Sequence, residues 1–205
     1  MTTNYILGWL VSMDKSATMS LNFDGGTIAD FIFHSVSCSI SWTPLALLFL
    51  YFVIKDHRRN LWMAFAIVAG LAVTITLCDQ ASSGIIKPLV MRPRPSHTDG
   101  VSCFLHYVNN YHGGRYGFVS SHAANAVGSV VFTSLMVRRR WFTVIGAVYA
   151  FIVCYSRVYL GVHYVGDVVC GAALGAMLGT LVGLTYLPLM HLIGMAVLVV
   201  RRRFA

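Results

Sequence analysis

Three short clusters carry the side chains needed to hold, attack and release a phosphoryl group: Lys87 with Arg94-Pro95, then Ser120-Ser121-His122, then Ser156-Arg157 with His163 and Asp167. In the first, prolines at 88, 93 and 95 stiffen a segment bearing Lys87, Arg92 and Arg94, which holds positive charge in place. Arginine presents a planar fork that matches two phosphate oxygens, and lysine adds a compact point charge. Alone, the segment fits equally well a juxtamembrane stretch that grips anionic lipid headgroups. In the second cluster, Ser120 or Ser121 can cap an apolar helix whose free N–H groups attract phosphate; an ordinary cap beside an interfacial histidine is the plainer alternative. In the third, His163 and Asp167 stand four residues apart where another apolar stretch begins, a spacing that puts them on one helix face. A carboxylate there fixes the imidazole tautomer, frees the other ring nitrogen to attack, and stabilises the cation formed on phosphorylation. An aspartate just inside a membrane helix is costly without such a partner.

The elements that must position these groups are membrane helices. The 205 residues are 57% hydrophobic and only 11% charged, with a mean hydropathy of +0.71, far from the roughly 25% charged residues of a soluble chain. A span needs about 20 mostly apolar residues, and such stretches occur at 31–54, 61–79, 119–137, 141–156 and 164–187. The expected fold is therefore all-α, a polytopic bundle of five spans forming one domain over 1–205, since no linker, repeat or low-complexity tract divides it. Residues 5–22 are apolar but interrupted by Asp14-Lys15, which predicts an interfacial helix. The segment 80–118 becomes a long loop. After Pro188 about 12 apolar residues remain, too few for a span, which predicts a short helix at the inner face.

Arginines and lysines at 55, 58 and 59, at 138–140 and at 201–203 must share one face, which the positive-inside rule makes cytoplasmic. The N-terminal helix, the 80–118 loop and the 157–163 turn then lie on the outer face. Lys87, Arg92, Arg94, Arg115 and Arg157 oppose the rule there and need another reason. The net charge of +8 thus has two sources divided by the bilayer, a poor match to a nucleic-acid surface that tracks a long polyanion. The five cysteines lack metal-ligand spacing and read as small core residues, although a Cys78–Cys103 bond is conceivable. Gly171, Gly175, Gly179 and Gly183 form a ridge on the last span that favours close packing inside the bundle over a dimer seam.

The ordered pattern Lys-x6-Arg-Pro, Ser-x-His, Ser-Arg-x5-His-x3-Asp resembles the type 2 phosphatidic acid phosphatase superfamily, which also includes vanadium haloperoxidases. The first signature matches at Lys87, Arg94 and Pro95, and the third at Ser156, Arg157, His163 and Asp167. The second departs from the usual Pro-Ser-Gly-His, with Val119 for the proline and Ser121 for the glycine. The resemblance implies His163 as nucleophile, Asp167 as its orienting carboxylate and His122 as general acid. It further implies Lys87, Arg94, Ser120 and Arg157 as phosphate ligands, with no metal or cofactor. Ser121, Arg92 and Arg115 are secondary candidates, the two arginines for the headgroup or a second phosphate. His97, His106 and His112 are expected as exposed polar residues.

The expected substrate is a lipid phosphate or diphosphate whose tail stays in the bilayer of a bacterial inner membrane while its headgroup enters the outer-face site. Undecaprenyl diphosphate comes first; phosphatidylglycerophosphate, phosphatidic acid and lipid A phosphates remain open. The alternatives are a lipid phosphotransferase and a non-catalytic lipid-phosphate binding or transport protein. The oligomeric state is left open.

Overall fold

The computed structural model describes residues 2–203. Its helices, in chain order, are α1 (Thr2–Leu21), α2 (Gly26–Ser37), α3 (Thr43–His57), α4 (Leu61–Asp79), α5 (Lys87–Val90), α6 (Ser121–Val137), α7 (Arg140–Tyr159) and α8 (Val165–Arg203). A π-helical turn over Gln80–Ile86 joins α4 to α5, giving one apolar rod from Leu61 to Val90. By length and composition, four helical stretches among the described residues can cross a membrane: Ser39–His57, Leu61–Val90, Arg140–Tyr159 and Val165–Met195. The fifth apolar helix, α6, has 17 residues and is about 25 Å long, less than the hydrocarbon thickness of about 30 Å. Phe31, Ile40, Phe65, Val144, Phe151 and Leu184 point outward, an apolar surface suited to lipid.

α8 packs against α6 along the glycine ridge. A Cβ on Gly171, Gly175 or Gly179 would strike the carbonyl oxygen of Ser120, Ala124 or Gly128 in turn. Lipid tails are as apolar as leucine, so helices in a bilayer associate through close contact rather than by escaping water. Away from the site, Phe49, Phe52, Ile67, Phe132, Phe142 and Val182 form the main apolar core.

Several expectations are corrected. The stretch 31–54 is broken: α2 stays at the site end, where Asp30 meets Tyr159 and His106 and Ser37 meets Arg157, and a 3-10 turn over Ser39–Trp42 leads into α3. Pro44 at the first turn of α3 accounts for the new start. The loop opens after Val90 rather than at residue 80, where Met91 adopts a left-handed conformation. α8 runs through Pro188 instead of yielding a separate inner helix. The five cysteines are free as read, but Cys38, Cys103 and Cys170 are exposed and not core residues.

α1 is a helix as expected, but its polar stripe faces the protein. Ile6, Trp9, Leu10 and Met13 are exposed, whereas Thr18 and Asn22 are buried. The Asn22 amide donates to the Tyr159 carbonyl at 2.6 Å, and its oxygen accepts from the His106 N–H at 2.7 Å. This staples the outer loop to the end of α7.

Candidate active site

All three clusters meet at one end of the bundle. Lys87 is the first residue of α5, His122 lies in the first turn of α6, Arg157 in the last turn of α7, and His163 and Asp167 flank the start of α8. Arg94 comes from the loop, where a short antiparallel pairing fixes it: Arg94 N–H donates to Arg115 O at 3.0 Å, and Gly117 N–H to Arg92 O at 2.9 Å. The Ser120 N–H donates to the Asp167 carbonyl at 2.9 Å, which ties the second cluster to the third.

Each cation is held by neutral groups. Lys87 Nζ donates to Ser121 Oγ at 3.0 Å and to Ser83 Oγ at 3.2 Å; the serine standing where the signature has glycine thus steadies the lysine. Arg94 donates to the Tyr116 and Val162 carbonyls at 3.1 and 3.3 Å. Arg157 is buried, donates through Nη1 to Ser37 and lies near the Tyr111 ring. Its Nε is buried with no partner among the described residues. Ser120 is fully buried and caps α6 by accepting from Ala123 N–H at 3.4 Å. Three cations with their charge left uncompensated make a cradle for an oxyanion.

His163 departs from expectation. It sits in the tight turn between α7 and α8, two residues ahead of the helix, so it does not share a helix face with Asp167. Its Nδ1 still faces Asp167 Oδ2, at 3.6 Å, too long for a hydrogen bond in this state; such bonds tighten when a reaction complex forms. Burial, then Arg94, Arg157, Lys87 and His122, hold the His163 pKa well below its ordinary 6.5. A neutral imidazole is the nucleophilic form.

Arg92 is corrected most sharply. It does not face the cradle: Nη1 donates to Asp167 Oδ1 and Nη2 to Asp14 Oδ2, both at 2.7 Å, while the guanidinium lies 4.1 Å over the Tyr164 ring. Two carboxylates, Asp167 buried and Asp14 half-buried, outcompete a headgroup for its fork. Arg115 is exposed, 5.7 Å over Tyr116. His97 is exposed and His112 half-buried, but His106 is bound to Asp30 at 2.9 Å.

Two contributors were not read from sequence. By sequence Asp14 only interrupts an apolar helix, and Gly117 carries no signal beyond being glycine. A Cβ at Gly117 would stand 2.9 Å from Asp167 Oδ2 and 3.5 Å from His163 Nδ1, so this backbone closes over the pair. Beside them, a cavity of about 360 Å³ runs inward from His122 and Ser121 past Asp79, Asn125 and Ser129 to Leu45, Phe49 and Leu71. The Asn125 Oδ1 is buried with no partner among the described residues.

Known proteins are similar to this chain over most of its length. The PAP2 superfamily profile matches residues 69–190. Over 180 residues the chain is 32% identical to the lipid A 4'-phosphatase of Porphyromonas gingivalis, covering 87% of this chain and 75% of that one. It is 33% identical over 177 residues to the lipid A 4'-phosphatase of Bacteroides thetaiotaomicron, covering 86% and 78%. The solved transmembrane PAP2-type phosphatidylglycerolphosphate phosphatase of Bacillus subtilis shares the fold, with a TM-score of 0.62, 22% identity and 84% coverage of both chains.

Proposed function

The chain belongs to the PAP2 superfamily and is a multi-pass membrane lipid phosphate phosphatase, and on that premise we propose that it works through a phosphohistidine on His163. The observation carrying this reading is a buried His163 imidazole whose Nδ1 faces Asp167, with Lys87, Arg94 and Arg157 around it, surroundings that hold its pKa down. In the proposed reaction, His163 Nε2 attacks phosphorus as the bond to the leaving oxygen breaks, and His122, protonated once the substrate's anionic phosphoryl group offsets the surrounding cations, gives that proton to the leaving oxygen. Asp167 stabilises the resulting imidazolium. Lys87, Arg94 and Arg157 bind the equatorial oxygens, where charge spreads in the transition state. Ser120, spent as a cap, contributes through the free N–H groups it orients. Water then cleaves the P–N bond and releases phosphate. Asp167 is committed to Arg92 and Tyr164 N–H, so the carboxylate at the cradle is not a free metal ligand, and the reaction is proposed to be metal-independent.

For substrate, a phosphate on a sugar headgroup of the lipid A kind is proposed first. Support comes from the two relatives named above and from the hydroxyl and amide groups lining the cavity beside His122. Isoprenoid diphosphate, first from the sequence alone, becomes the second reading, supported by the apolar depth of that cavity. The site is proposed to face the periplasm of a bacterial inner membrane, because the arginines at 58–59 and 138–140 fall at the opposite ends of the helices.

Purified protein should release free phosphate from lipid phosphates in detergent, with chelator present and no acceptor lipid. A sugar-linked phosphate should be preferred over undecaprenyl diphosphate, and His163→Ala should be inactive. Activity that needs added metal, release only when an acceptor is supplied, or full turnover by His163→Ala would overturn the corresponding part.

A further inference from the structure

The N-terminal helix carries Asp14 and Thr18, with Asn22 just past its end, at intervals of four residues, and this stripe faces the elements that hold the reacting groups. The Asp14 Oδ1 accepts from Gly166 N–H at 2.8 Å, and Thr18 Oγ1 accepts from Val165 N–H at 3.1 Å. Those are the first two N–H groups of α8, left without intrahelical partners by helix geometry, and Asp167 follows them directly. α1 therefore caps in trans the helix that bears the orienting carboxylate. A Cβ on Gly166 would stand 2.9 Å from Asp14 Oδ2, so the approach is close.

The same Asp14 carboxylate reaches Asp167 by a second route. Its Oδ2 accepts from Arg92 Nη2, and Arg92 Nη1 donates to Asp167 Oδ1, which leaves Oδ2, held by the Tyr164 N–H, as the oxygen turned to His163. A guanidinium paired with Asp167 alone would compete at full strength with the imidazolium for that carboxylate. Shared between two carboxylates, it fixes the orientation of Asp167 while drawing off less of its charge.

We propose that Asp14 is a positioning residue for the phosphoryl transfer, setting the orientation and available charge of Asp167 through Arg92 from the far end of the chain. This rests on the reading of His163 as nucleophile. Asp14 touches neither substrate nor phosphorus, so its effect falls on the chemical step and not on phosphate binding.

Asp14→Asn keeps an acceptor for Gly166 N–H and removes the charge that shares Arg92. With the lipid phosphate the native protein hydrolyses best, kcat should fall about 10- to 100-fold, as for loss of a partner that orients a reacting ligand, with KM and orthovanadate affinity within about twofold. In an Arg92→Lys background the same substitution should add less than about twofold, because the bridge is already broken. Native kcat in Asp14→Asn, a parallel loss of KM and vanadate binding, or multiplicative effects of the two changes would each overturn the proposal. If Asp14→Asn fails to fold, Arg92→Lys decides alone, since one ammonium cannot hold both carboxylates as the fork does. Loss of kcat with KM kept supports the bridge, and native kcat refutes it. Native turnover is the control: its absence removes the functional reading and this proposal with it, whereas its presence beside an unaffected Asp14→Asn removes this proposal only.

Discussion

The two ends of the bundle use charge in opposite ways. At the arginine-rich end, Arg139 pairs with Asp56 at 2.9 Å with both side chains about one-third exposed, and its neighbours Arg138 and Arg140 are exposed. At the site end, Arg94, Arg157, His163 and Asp167 are nearly or wholly buried, tied by bonds that cross from α1 to α8 and from the loop to the α7–α8 turn. Burying a charge in a membrane protein is costly unless structure compensates it. The end that bears that cost is the end equipped for chemistry.

The contrast is broken or sharpened by substitution. His163→Ala should lower phosphate release at least about a thousandfold, the scale of losing a nucleophile, while orthovanadate still binds the untouched cations. Gly117→Ala comes next: a methyl 2.9 Å from Asp167 Oδ2 and 3.5 Å from His163 Nδ1 should cost about a hundredfold in kcat, as a misplacement of about 1 Å does, with a smaller change in KM. The pH profile is a third probe. Because the His163 pKa is lowered, the imidazole stays neutral as pH falls through 6.5, so the acid limb of kcat/KM should lie below that value. The unfolded chain does take up the proton near 6.5, so folded-state stability should decline progressively as pH drops below it. Gly175→Leu should lower the melting temperature through overpacking of about 1–3 kcal/mol, or more, against the Ala124 carbonyl. Arg139→Ala should change stability by about 1–2 kcal/mol, because the pair with Asp56 is only partly screened and the guanidinium lies 4.5 Å over the Phe52 ring, and should leave kcat unaltered.

Much of this was legible in the residues. Apolar length located most of the spans, and the ridge of glycines at 171, 175 and 179 announced the close face that α6 fills. Lys87, Arg94, His122, Arg157, His163 and Asp167 converge because they sit at helix ends or in the loop joining them, positions that spacing and span length reveal. What sequence hid was pairing across distance. Arg92 and Arg94 stand two residues apart with the same side chain, yet one holds two carboxylates and the other lies in the cradle; nothing local separates them. Asp14 read as a flaw in an apolar helix because its partners, Gly166 and Arg92, are far along the chain. Its recurrence with Thr18 and Asn22 every four residues was the available signal. The break at Cys38–Trp42 lies among Ser35, Ser37, Ser39, Ser41 and Pro44, a local polar dip that an apolar count over 31–54 averages away.

The central claim is that His163 carries the phosphoryl group, and trapping the intermediate tests it most directly. Native protein given lipid substrate labelled in the scissile phosphate, then denatured in alkali, should carry label on the peptide containing residue 163, stable to base and lost in acid as a phosphoramidate is. Label on a serine, or steady turnover with no trappable label at any quench time, would contradict the account.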